Sequence, residues 1–361
     1  MSDLTEVELV RIRMPLVTSL VSAHGTESVR DLVLVRVQHA DGTDGWGECS
    51  ALARPTYTAE YTAGAWAVLR DELVPAIWRG TDQVVGHPMA TAALSSARLD
   101  VDLRRRGISL AAHLGARHGR PAERVPVGAV VGRQSSVEDL LAVVNRHVDQ
   151  GTALVKVKVT PHPVDLDGVA AVRSAWPALA LAVDGNGSLD ARSVSILGGL
   201  DLAYVEQPAP ADDLMASAAY ARRLDVPVAL DESVTSAAAL EVALALGAGQ
   251  VINVKPARVG GIALAADLAR MAVDAGCAVF IGGMLESGVG RAAALAVAAL
   301  PACTLPTDLG PSSRYVAADV TDPLELDHEG LLAVPSGPGT GVVPRADRLA
   351  EMAVDRLVLR R

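Results

Sequence analysis

The sequence predicts an α/β protein. Its larger part reads as a (β/α)7β TIM-like barrel, joined to an α+β unit made from the N-terminal part and the C-terminal tail. Three observations carry this reading. The chain has 361 residues, about two domains by length. From Pro126 onward, eight short apolar runs alternate with Ala-rich helical stretches. The residues before and after that region break the rhythm.

Taken in order, Val7–Met14 and Leu32–Gln38 are Val-, Leu- and Ile-rich, and Asp41-Gly42 is a turn before Gly45–Cys49. The pattern is a three-stranded antiparallel meander. Residues 58–79 and 88–106 carry helical periodicity, with Pro55 and Pro88 near their starts. The first domain is therefore set at 1–125. The barrel, 126–320, has its strands in the runs 125–131, 153–159, 179–184, 202–208, 226–232, 250–256, 277–283 and 303–308. Helices fall between them, among them Val137–Asp149, Leu214–Arg223, Ala237–Leu246 and Ala263–Ala275. Eight strands at near-regular spacing argue a closed barrel rather than an open sheet. The tail, 321–361, is Pro-rich, leaves the barrel and is expected to return to the first unit.

Composition narrows the function. Half the residues are hydrophobic, which excludes intrinsic disorder. Only 3% are aromatic, with one Phe, so the core is aliphatic. The net charge of −10 argues against a sequence-independent nucleic-acid partner. The most apolar run, Ala292–Cys303, contains Pro301 and is too short to span a membrane. Cys49, Cys277 and Cys303 are few and far apart, which fits a reducing, cytoplasmic setting.

The chemistry lies in the polar residue near the C-terminal end of successive runs. Lys158, Asp184, Glu206, Asp231 and Lys255 follow one another in steps of 26, 22, 25 and 24 residues. Each step is about one strand–helix unit, so all five return to the same barrel rim, where barrel enzymes place their active sites. Singly, each is an ordinary cap, turn former or surface lysine. Together they put three carboxylates between two flanking lysines. Three carboxylates at one rim call for a cation, and hard oxygens suit Mg²⁺, or Mn²⁺ or another divalent ion. A lysine beside such an ion is expected to have a lowered pKa and to act as a base. Lys156, Asn186 and Glu232 are candidate supporting residues.

The segments KVKV, VDGN, VEQP, LDES, INVKP and IGGMLESGVGR resemble the enolase superfamily, muconate-lactonizing subgroup. More narrowly they resemble the o-succinylbenzoate synthase / N-succinylamino acid racemase family. The resemblance runs from MPLV and WGEC to SGPGTGV. It implies Asp184, Glu206 and Asp231 as Mg²⁺ ligands and Lys158 and Lys255 as an acid/base pair on opposite faces of the substrate. The lysines would abstract a proton α to a carboxylate, giving an enediolate, a pattern already known for this superfamily. The first unit is implied to be a capping domain with lid loops near 15–25 and 50–61. Tyr57, Arg258, Gly282, Gly283, Met284, Leu285 and Tyr315 are implied substrate contacts, and Arg258 goes with members that racemise. Val130 and Leu20 depart from the small polar and aromatic residues that relatives often carry there.

The expected activity is o-succinylbenzoate synthesis by dehydration (the menaquinone pathway), racemisation of N-succinyl- or N-acylamino acids, or both. Muconate cycloisomerase and dipeptide epimerase are alternatives within the subgroup. A Schiff-base barrel aldolase and a non-catalytic small-acid binder are alternatives outside it. The expected partner is a small-molecule carboxylate, with no nucleic acid and no membrane, and the chain is expected to form a homo-oligomer.

Overall fold

The computed structural model describes residues 4–81 and 84–361. Three long-range strands come first: β1 (Leu4–Ser22), β2 (Gly25–His39) and β3 (Asp44–Cys49). Helices α1 (Thr62–Val68) and α2 (Val74–Arg79) are joined by a π-helical turn and followed by α3 (Pro88–Arg106) and α4 (Leu110–His118). The meander forms as the turn chemistry predicts, but the sheet gains a fourth strand. β13 (Ala353–Arg360), reached through β12 (Leu331–Ala333) and the helix α13 (Ala346–Met352), pairs antiparallel with β1, giving the order β13-β1-β2-β3. The chain tail thus forms one edge of the N-terminal sheet. Gly45 and Gly47 let α3 lie directly on β3: a Cβ at Gly47 would sit 2.0 Å from the Ala93 carbonyl.

The barrel strands are β5 (Ala129–Val131), β6 (Val155–Lys158), β7 (Leu181–Asp184), β8 (Val205–Glu206), β9 (Val228–Leu230), β10 (Val251–Val254) and β11 (Ala278–Ile281). All are parallel and paired in sequence order, with helices α5 (Val137–Asp149), α6 (Pro163–Ala175), α7 (Ala191–Gly198), α8 (Leu214–Arg223), α9 (Ala237–Leu246), α10 (Ile262–Asp274) and α11 (Gly288–Ala298) between and after them. A short α12 (Ser312–Tyr315) follows. Helix starts coincide with side-chain caps. Ser136, Asp190, Asp213 and Ser236 each accept a bond from an amide in the first turn.

Two of the eight predicted runs behave differently from a regular strand. Run 125–131 splits: β4 (Arg124–Pro126) pairs antiparallel with β12, and only Ala129–Val131 enters the barrel. Run 303–308 makes no extended ladder. It bridges β11 and β5 through Thr304 and Leu305 amides on the Val279 carbonyl, Thr307 on Pro126, and Gly128 on Thr307. Pro306 interrupts the donor pattern that a full ladder needs.

The two-residue alternation of strands then separates core from site. Val155, Val157, Leu181, Val183, Val205, Leu230, Ile252, Val254, Val279 and Ile281 point outward and are buried against the helices. The inward positions begin with Leu154, Ala182, Tyr204, Ala229, Val251 and Phe280, which form one apolar cluster. Tyr204 and Phe280 stack with centroids 5.5 Å apart. One step further along the same strands come Lys156, Asp184, Glu206, Asp231 and Asn253. The apolar layer is the floor of the site.

Candidate active site

A cavity of about 110 Å³ opens above that floor. Lys156, Lys158, Asp184, Asn186, Glu206, Lys255 and Asp308 line its base. Leu20, His24, Leu52 and Tyr57 close it from the N-terminal unit, and Gly283–Glu286 and Tyr315 form a side wall.

Strand register brings the charges together. Lys158 is directly opposite Asp184, and Asp184 opposite Glu206. Lys158 Nζ donates to Asp184 Oδ2 (2.8 Å) and Asn186 Oδ1 (2.9 Å). Asn186 stands at φ 43°, and its amide donates to Asp184 Oδ1 (2.9 Å). The Asp184-Gly-Asn turn is therefore part of the site. Asn186 Nδ2 donates to Glu232 Oε1 (2.9 Å), so Glu232 serves this network and caps no helix.

Lys255 Nζ donates to Asp231 Oδ2 (2.8 Å) and to the Tyr57 hydroxyl (3.0 Å), with the ammonium 4.7 Å from the Tyr57 ring centre. Burial works against this ammonium, but Asp231 and the Tyr57 oxygen outweigh it and raise its pKa above that of a free lysine. A direct carboxylate partner stabilises the protonated amine. Asp231 is held low, its burial outweighed by Arg258 and Lys255.

Lys156 is no ordinary rim cation. It is buried, pairs with Glu206 and Asp308, and lies 4.9 Å from the Phe280 ring centre. The Glu206 carboxyl is pushed up to about 8. Burial is the main cause, Lys156 opposes it, and Asp184, Asp231 and Asp308 add to it. Glu206 Oε1 also accepts from Asn253 Nδ2 (2.6 Å).

Two expected substrate contacts lie elsewhere. Arg258 does not line the cavity and is not exposed at a helix start. It is 1% exposed, pairs with Asp231 and donates to the Tyr57 hydroxyl (2.5 Å) and the Val234 and Asn253 carbonyls (3.0 and 2.9 Å). A single long side chain thus holds Asp231 from behind. Gly282 is also outside the lining: a Cβ there would meet Asn253 Oδ1 at 2.2 Å and Lys255 Cε at 2.7 Å. It makes room for Lys255. Gly283, Met284 and Leu285 do line the cavity, with Leu285 at φ 55°. Tyr315 lines it too, its hydroxyl donating to the Asp308 carbonyl (3.1 Å).

Asp308, Asn253 and His24 belong to the site but were not singled out from sequence. The first two were findable. Asp308 ends the eighth run, and Asn253 precedes Lys255 by two residues, on the same face.

The donor set, all carboxylate and amide oxygen, suits a hard divalent ion, and the carboxylate repulsion that adds to burial in raising Glu206 is the field such an ion relieves. Among the described residues no three His, Cys, Asp or Glu side chains form a ready cage, because lysines and Arg258 close on the carboxylates.

Residues 139–348 match the family model for enolase C-terminal domain-like proteins. Residues 4–115 match the N-terminal domain of mandelate racemase / muconate lactonizing enzymes. The chain belongs to the enolase superfamily. An N-succinylamino acid racemase from an Amycolatopsis species is 40% identical, with 98% of each chain covered. An o-succinylbenzoate synthase from Geobacillus stearothermophilus is 36% identical, with 93% of this chain and 92% of that one covered. A solved structure described as a probable mandelate racemase from Alicyclobacillus acidocaldarius superposes with a TM-score of 0.91 at 37% identity, covering 99% of this chain and 98% of that one. Within the superfamily the chain is therefore an enzyme of the o-succinylbenzoate synthase / N-succinylamino acid racemase family. Superfamily members typically bind Mg²⁺. No helix among the described residues of this enolase-superfamily chain is long and apolar enough to cross a membrane.

Proposed function

We propose that this enzyme removes the proton α to a carboxylate, as an o-succinylbenzoate synthase, an N-succinyl- or N-acylamino acid racemase, or both. The observation that carries the reading is the pair Lys158 and Lys255. Both line one cavity, on strands four places apart, and each has its own carboxylate partner. A binder of small acids needs no such pair. The cycloisomerase, epimerase and aldolase readings are not favoured, since the relatives at 32–40% identity carry synthase or racemase names.

Asp184, Glu206 and Asp231 would hold Mg²⁺, which when bound neutralises the charge that builds on the substrate carboxylate as the proton leaves. Lys158 Nζ takes the α-proton from one face, steadied by Asn186. Lys255 Nζ delivers or takes a proton on the other face, or in the dehydration stabilises charge there. Lys156 pairs with both Glu206 and Asp308 and holds the two side chains next to each other. Residues 1–125 and 321–361 act as a cap over the barrel, 126–320, which excludes water through Leu20, Leu52 and Tyr57. We also place the enzyme in the cytoplasm, since Cys49, Cys277 and Cys303 are all unpaired.

The test is α-proton/deuterium exchange by NMR on both enantiomers of N-succinylamino acids, beside a synthase assay on the cyclohexadiene precursor. Lys158→Ala and Lys255→Ala should each abolish exchange from one enantiomer. Racemisation surviving Lys255→Ala would reject the two-base assignment. Trapping of a substrate adduct by borohydride would reject the whole reading in favour of a Schiff base.

A further inference from the structure

Two segments of the N-terminal unit reach the lysines, and they reach different ones. The β1–β2 hairpin is seated on the barrel, its Val21 carbonyl accepting from the Arg133 amide (3.0 Å). At its tip His24 Nε2 lies 3.0 Å from Glu232 Oε1. That oxygen also accepts from Asn186 Nδ2, and Asn186 Oδ1 accepts from Lys158. Glu232 Oε2 is buried with no partner among the described residues, so Oε1 alone anchors the carboxylate. Asn186 Nδ2 donates to Glu232 Oε1 (2.9 Å) and to Asp184 Oδ2 (3.2 Å), which turns its Oδ1 toward Lys158. A chain of three contacts therefore runs from the hairpin tip to Lys158.

The loop after β3 reaches the other lysine directly. Arg30 fixes its start by donating to the Ser50 carbonyl (2.8 Å), and Tyr57 then sets its hydroxyl between Lys255 (3.0 Å) and Asp231 (3.1 Å). His24 and Tyr57 meet edge to face, with centroids 5.5 Å apart. Among the described residues, no hydrogen bond or ion pair links His24 to Lys255 or Tyr57 to Lys158.

We propose that the two lids divide the lysines between them: His24 is a positioning residue for Lys158 through Glu232 and Asn186, and Tyr57 is the positioning residue for Lys255. Each lid then governs proton transfer on one face of the substrate, and the ratio of the two enantiomers' rates is set by lid residues that lie outside the base pair itself. This inference rests on the proton-abstraction reading above.

The experiment uses the full-length, Mg²⁺-loaded enzyme and measures α-deuterium exchange on each enantiomer of one N-succinylamino acid at saturation. His24→Ala should shift the ratio of the two rates about tenfold in one direction, and Tyr57→Phe about tenfold in the other. His24→Gln keeps an N–H donor and should restore most of the ratio, while Glu232→Gln should shift it in the same direction as His24→Ala. Ratios that stay within about twofold of the parent, or that move the same way in both lid variants, overturn the division of the lysines while the parent's own exchange upholds the reaction. A parent that exchanges neither enantiomer overturns both. Equal thermal midpoints in parent and variants establish that the ratio reports positioning.

Discussion

Glu48 on β3 accepts hydrogen bonds from the Ser287 amide (3.2 Å) and the Ser287 hydroxyl at the start of α11, and it does so across the join between the N-terminal sheet and the barrel. Gly290 adds a third donor (3.2 Å). A helix N-terminus suits a carboxylate, yet the Glu48 carboxyl is pushed up to about 7. Burial is the main cause, the Ser287 bond opposes it, and neighbouring Glu286 adds to it.

The sign of the resulting pH dependence follows. Between about 4.5 and about 7, folded Glu48 holds a proton that the unfolded chain has released. Its contribution to stability is full below that window and is lost as pH rises through it, by roughly 3 kcal/mol in all. Glu48→Gln cannot titrate. Its thermal midpoint should fall less than the parent's between pH 5 and pH 8, and parallel curves would count against the assignment.

Arg258→Met should destabilise the fold by about 3–5 kcal/mol in urea unfolding, because it leaves Asp231 with one cation fewer and two buried carbonyls without donors. Arg258→Lys should recover only part of this, since one ammonium cannot reach Asp231, Val234 and Asn253 together. Equal stability of parent and Met variant would contradict the buried pairing.

Gly282→Ala and Gly283→Ala form a matched pair. At Gly282 the new methyl meets Lys255 and Asn253, whereas at Gly283 the nearest atom is Glu286 Oε2 at 3.3 Å. The first should cost about 1–3 kcal/mol and displace the Lys255 amine, and the second should be milder on both counts. Exchange from the enantiomer served by Lys255 is the measurement. Similar losses in the two variants would argue that Gly282 makes no special room.

Chelation should abolish proton exchange, and added Mg²⁺ should restore it. Mg²⁺ must compete with Lys158 and Lys255 for Asp184 and Asp231, so binding should also show as a rise in thermal midpoint, about 2.7 kcal/mol of stabilisation at a hundredfold excess over Kd. Asp231→Asn should remove that rise. A midpoint indifferent to Mg²⁺ in the parent would reject the carboxylate assignment without reference to turnover.

The barrel was legible because its strands repeat at about one strand–helix unit and its helices carry aliphatic periodicity. Four helices begin or end within a residue of where the pattern puts them. The closing run was read as a strand although Pro306 leaves it only isolated bridges. The pairing of β13 with β1 was anticipated only as a return of the tail, since antiparallel partners far apart in sequence leave no local signal. The same holds at the site. Charges spaced by one repeat were readable, and their layering above Tyr204 and Phe280 follows from strand alternation. What Arg258, His24 and Glu48 touch was not readable, because each meets a partner from another part of the chain: 27, 208 and 239 residues away in turn.

The edge strand β13 has a kinetic meaning. Its contacts with β1 close a loop in which Arg360 meets Glu6, 354 residues apart. Closing so long a loop is entropically slow unless a folded body already holds its ends together. The barrel is that body. The sheet that carries the His24 hairpin should therefore gain its outer strand late in folding and lose it early in partial unfolding. The enzyme can then keep an intact barrel of paired charges while the grip on its lysines has already loosened.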